Sequence, residues 1–213
     1  MITSKPIKLL ALSIGFLAIL LIARFYYTKT LFFGFYVWNT FLALIPIALS
    51  SLLLNQKIAN LVSFFIFIIW LLFFPNSAYL VTDILHFKER KDVPLWFDLV
   101  LVIQASWVGL YCAIISLKHV EIFLRKHFNF KLVFVFISLI ILLSSYGVYL
   151  GRFLRFNSWD FIVQPQVIII TSFDRLLHPF AHFSTWAFVF LFGFFVGLQY
   201  LCFNKLLKNS DFV

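Results

Sequence analysis

Charge is scarce in this chain of 213 residues. Asp, Glu, Lys and Arg together make up 12% of it, against about a quarter in ordinary soluble domains. A soluble fold of this size needs a polar surface, and so few charges do not supply one. Cysteine is nearly absent: Cys112 and Cys202 each lie inside an apolar run. That excludes a disulfide framework and a CxxC metal signature, and leaves both as small packing residues. The sequence also has no Gly-rich phosphate loop, no H-E-x-x-H, no G-x-S-x-G and no redox pair. No Ser/Gly linker, composition shift or internal repeat divides it, so residues 1–213 read as a single domain.

What is present is apolar. Hydrophobic residues make up 63% of the chain, with 31 Phe and 6 Trp among the residues that lipid and its interface accept freely. Six segments approach the roughly 20 apolar residues that a membrane span needs: about 7–26, 31–54, 58–74, 95–117, 132–151 and 180–203. The expected fold is all-α, a polytopic transmembrane helical bundle of about six spans, with a short interfacial or re-entrant helix after span three. The first span, "LLALSIGFLAILLIA" behind Lys5 and Lys8, reads as a retained anchor. It is long for a signal peptide, and no A-x-A pair precedes Arg24.

The net charge of +9 falls in short connections between apolar runs. That pattern orients a membrane protein and does not build a groove for nucleic acid. Lys and Arg are nearly balanced between the two sides. The segment "LKHVEIFLRKHFNFK" (117–131) reads as the clearest cytoplasmic loop, so both termini are expected in the cytoplasm. Most of the acids (Asp83, Glu89, Asp92, Asp98, Asp160, Asp174) then share the extracytoplasmic face with His86, His178 and His182.

Within that face, "FFPNSAYLVTDILHF" (73–87) interrupts a strongly apolar run. Pro75 ends span three, and Asn76 or Ser77 can cap the next helix. On it, Tyr79, Thr82, Asp83 and His86 share one face. This predicts a short amphipathic helix lying in the interface or folded back on the bundle. Asp83 and His86 are the best candidates for a shared metal ion, or for a proton-transfer pair in which the carboxylate fixes the imidazole tautomer. A capped helix whose Asp and His face water accounts for the same residues.

Asp98, in the first turn of span four, suits the helix dipole or joins the same site. At the end of span five, Ser145, Tyr149, Arg152 and Arg155 form a polar stripe, followed by the turn Asn157, Ser158 and Asp160. An unpaired charge towards the bilayer centre costs on the order of 3 kcal/mol. The two arginines therefore read either as ion-paired or snorkelling groups, or as holders of an anion. "GVYLG" (Gly147, Gly151) and "GFFVG" (Gly193, Gly197) permit close helix approach, within the chain or in a homo-oligomer. In "SFDRLLHPFAHF", Pro179 breaks the helix that would align Asp174, His178 and His182, and leaves a local Asp174–His178 pair.

Together "WNTFLALIP" (38–46), "FPNSAYLVTDILH" (74–86), "PLWFD" (94–98) and "SSYGVYLGRFLRFNSWD" (144–160) resemble the bacterial membrane proteins grouped as domain of unknown function 1361. The resemblance covers roughly residues 36–165. Ala-Pro often follows the PN in that pattern; Ser77-Ala78 stands here. The resemblance implies a multi-pass protein of the bacterial plasma membrane and no particular activity. It points to Trp38, Asn39, Asn76, Tyr79, Asp83, His86, Asp98, Arg152, Arg155, Asn157, Trp159 and Asp160.

The resulting expectation is a polar site at the extracytoplasmic interface that binds or processes a lipid or lipid-linked anionic group. Arg152 and Arg155 would hold the anion, with Asn39, Asn76, Tyr79 and Asn157 around it. Asp83, His86, Asp98 and Asp160 would supply acid/base or metal chemistry. Membrane lipid is the expected partner, and the sequence names no cofactor. The rival readings are a small-solute or ion transporter and a non-catalytic assembly partner.

Overall fold

The computed structural model describes residues 4–55, 60–88, 92–157 and 159–209. Glu89 and Ser158 lie outside them. The elements are α1 (Ser4–Thr28), α2 (Phe35–Leu53), α3 (Asn60–Phe73), α4 (Pro75–Thr82) with a 3-10 turn at Asp83–His86, α5 (Leu95–Arg125), α6 (Phe130–Phe153), α7 (Asp160–Val163), α8 (Pro165–Leu177) and α9 (Phe183–Asn209). The described residues contain no strand. Six helical stretches are long and apolar enough to cross a membrane, the third running from Asn60 to His86. The protein is a multi-pass helical bundle.

α5 is its axis. It packs against α1, α2, α4, α6 and α9, and 72% of its apolar stretch is buried against 22% for the first and last spans. Lipid-facing Leu, Ile and Phe cover the outside. The inside packs large residues such as Trp70, Phe74, Leu101 and Leu117 around small ones such as Ala43, Ala105 and Ser77 that let helices close on one another. A Cβ added to Gly109 of α5 would lie 2.5 Å from Leu80 Cβ and 2.6 Å from the Ser77 carbonyl, so α4 rests directly on the α5 backbone.

The helix after span three is present but does not leave the bundle. Phe74 keeps helical backbone angles, its N–H bonds to the Trp70 carbonyl at 2.8 Å, and Pro75 takes the first position of α4. Proline is tolerated there because that N–H has no intrahelical partner. α4 therefore continues the path of α3, packed against α2, α5 and α6, with Ser77 and Leu80 fully buried. The capping roles expected of Asn76 and Ser77 are not the ones observed. Asn76 Nδ2 donates back to the Phe73 carbonyl at 3.0 Å, and Ser77 Oγ donates across to the Ala43 carbonyl of α2 at 2.8 Å. Both polar groups satisfy backbone carbonyls inside the bundle, where an orphan would be costly.

One further expectation is corrected. "LKHVEIFLRKHFNFK" is mostly helix, because α5 runs to Arg125 and α6 starts at Phe130. Its charges mark the last turns of α5, where Glu121 accepts from Lys118 and Arg125 at i−3 and i+4. Of the G-x-x-x-G positions, three make close contacts within the chain. A Cβ on Gly147 would meet Pro75 at 2.7 Å, on Gly151 Tyr79 at 3.2 Å, and on Gly193 Leu142 at 3.1 Å. They join α6 to α4 and to α9. Gly197, by contrast, has only Ile141 at 3.9 Å and borders a cavity.

Candidate functional site

The helical spacing of Tyr79, Thr82, Asp83 and His86 brings all four onto one guanidinium, that of Arg152 at the end of α6. Arg152 Nε donates to Thr82 Oγ1 at 2.9 Å and Nη1 to His86 Nε2 at 2.7 Å. Nη2 donates to Asp83 Oδ1 in a close ion pair. The Tyr79 ring lies beneath, 4.1 Å from the guanidinium carbon to the ring centroid. The second Asp83 oxygen accepts from Asn39 Nδ2 of α2 at 3.0 Å. Asn39, α4 and Arg152 thus tie three spans together at one end of the bundle.

Burial decides what this pair is. The side chains of Arg152 and Asp83 are 7% and 1% exposed, so each charge depends on the other, and removing one strands its partner. The arrangement also fixes His86. An arginine only donates, so Nε2 is the accepting nitrogen of this contact. Asp83 and His86, the pair named for a shared metal ion or for proton transfer, both bind the Arg152 guanidinium. Among the described residues, no three His, Cys, Asp or Glu gather as a metal centre.

Beside this cluster opens a cavity of about 170 Å³. Asn39, Asn76, Tyr79 and Asn157 line it with amides and a phenol, and Trp38, Phe156 and Trp159 add aromatic rings. The charges of Asp83 and Arg152 stand one layer behind Asn39 and Tyr79. Arg155 is exposed and immediately precedes the two residues that close the cavity. It has a left-handed backbone, φ 62°, while Phe156 N–H turns back to the Leu150 carbonyl at 3.1 Å. Glycine is the usual residue there, and an L side chain costs roughly 1–2 kcal/mol.

The remaining candidates go elsewhere. Asp98 belongs to a second buried pair, its two oxygens accepting from Arg24 Nε at 2.7 Å and Nη2 at 3.1 Å. Arg24 in turn lies over Phe33, 4.5 Å from its centroid. Asp160 closes a local turn, Oδ2 accepting the Asn157 N–H at 2.6 Å. The stripe read along α6 divides: Ser145 bonds its own helix, and Tyr149 stacks towards Phe153 and Phe188. Asp174 pairs with His182 at 2.7 Å and not with His178, because Pro179 follows the end of α8 and the chain folds His182 back. Sequence reading missed Arg24 altogether, although a lone arginine inside an apolar helix signals a buried partner.

A family model described as protein of unknown function (DUF1361) matches residues 38–198. No curated protein matches the chain, and no solved structure does.

Proposed function

The chain belongs to the DUF1361 family of proteins of unknown function, and from that premise we propose that its cavity beside Asp83 and Arg152 is a recognition site for the polar headgroup of a lipid or lipid-linked anionic molecule. The observation that carries this is the composition of the cavity: hydrogen-bonding amides and aromatic rings inside, with an exposed Arg155 beside its closing residues. Its 170 Å³ is below the about 300–1,000 Å³ of sites that enclose a drug-sized ligand. A headgroup fits there while its chains stay in lipid. The extracytoplasmic placement of this end belongs to the same proposal.

The geometry favours binding over turnover. Both Asp83 oxygens already accept hydrogen bonds, and His86 has its Nε2 occupied by Arg152. Asp83 and His86 hold the guanidinium in place, while Asn39, Asn76, Tyr79 and Asn157 meet the headgroup. Arg155, bearing no ion pair among the described residues, is the group left to attract its anion.

The test is the set of lipids that copurifies with the full chain, read by mass spectrometry for wild type, Asn157→Leu and Arg155→Gly. Arg155→Gly removes the guanidinium and relieves the left-handed strain, so it should melt higher by the equivalent of about 1 kcal/mol while losing the anionic headgroup class. Asn157→Leu should lose it too, with melting unchanged. An unchanged lipid set in both variants overturns the assignment.

A further inference from the structure

The opposite end of the bundle holds a second, larger cavity, of about 410 Å³, between α5, α6 and α9. Its walls are apolar, including Val133, Ile137, Ile141 and Leu201, and Gly197 leaves space in one of them. Its rim is charged. Glu121, 8% exposed, accepts from Lys118 Nζ at 2.9 Å, from Arg125 Nε at 2.7 Å and from the buried Tyr200 hydroxyl. One carboxylate therefore faces two cations, and the rim keeps an excess positive charge.

The cations are held but not used up. Glu121 engages Arg125 through Nε and Nη2, which leaves Nη1 as a donor. Lys118 gives one of its three protons to Glu121. The Lys118 and Arg125 side chains are 33% and 44% exposed, while Glu121 and the Phe130 ring, 5.0 Å from the Arg125 guanidinium, fix their position. We propose that this is a binding site for an anionic phospholipid, its phosphate accepting from Lys118 and Arg125 and one acyl chain lying along Val133, Ile137 and Gly197. Charge complementarity selects the headgroup, and the cavity volume falls within the range of enclosed ligand sites. The site is separate from the cavity at Arg152 and does not depend on its assignment.

The test is native mass spectrometry of the full chain titrated with phosphatidylglycerol and phosphatidylcholine of the same acyl chains. Wild type should retain phosphatidylglycerol roughly tenfold better. Arg125→Gln should lose that preference and still bind both lipids weakly. Glu121 would keep Lys118 and Tyr200, so this variant should fold. Gly197→Leu fills the cavity from a position where a Cβ meets no clash, and should lower retention of both lipids. The same comparison is made in an Arg155→Gly background, which removes the anion-holding group of the other cavity, so the preference that remains there and is lost with Arg125→Gln belongs to this site. Equal retention of the two lipids by wild type, or an unchanged preference in Arg125→Gln, overturns the proposal.

Discussion

At the scale of single residues, Arg152 has the most depending on it. Its guanidinium is satisfied on three nitrogens and one ring face by four residues of a single helical stripe. Arg152→Ala should therefore cost about 3–5 kcal/mol, mostly because Asp83 would be left buried and unpaired. Removing both charges together, as Arg152→Met with Asp83→Leu, should recover most of that loss. Thermal melting in one fixed detergent measures both. Equal losses in the single and double variants would mean that shape, not charge, holds α4 to α6.

At the scale of elements, α4 is the piece whose placement defines the site, and its closest backing is a glycine. Gly109→Ala puts a methyl group into Leu80 and the Ser77 carbonyl. It should cost about 1–3 kcal/mol by overpacking and shift the hydrogen exchange of α4 amides more than that of α1. Uniform loss of protection would argue against a local role. The existence of six spans was legible from hydropathy, because length and apolarity are local properties. The stripe of Tyr79, Thr82, Asp83 and His86 was legible from helical spacing, and Asn39 came into view through the family resemblance. Two things were not. Pro75 reads as a stop, yet at the first position of a following helix it lets the span continue. Charges at the ends of spans also do not announce their partners, since Arg24 with Asp98 and Tyr200 with Glu121 meet only when distant helices pack.

At the scale of the whole molecule, the buried ionic groups fall at the two ends of the bundle, with the Asp83 and Asp98 pairs at one and Glu121 at the other. α5 carries one from each end. At the α-helical rise, Asp98 and Glu121 are about 34 Å apart along its axis, close to the hydrocarbon thickness of a typical bilayer, about 30 Å. Lengthening the lipid chains would draw both charged ends towards hydrocarbon, and shortening them would wet the apolar belt between. Melting temperature in nanodiscs of graded acyl length should pass through a maximum, and a flat profile would deny the effect. Since mismatch costs a fraction of a kcal/mol per Å and sorts proteins among membranes, α5 works as a ruler: its two charged marks set the thickness of membrane in which this protein can settle.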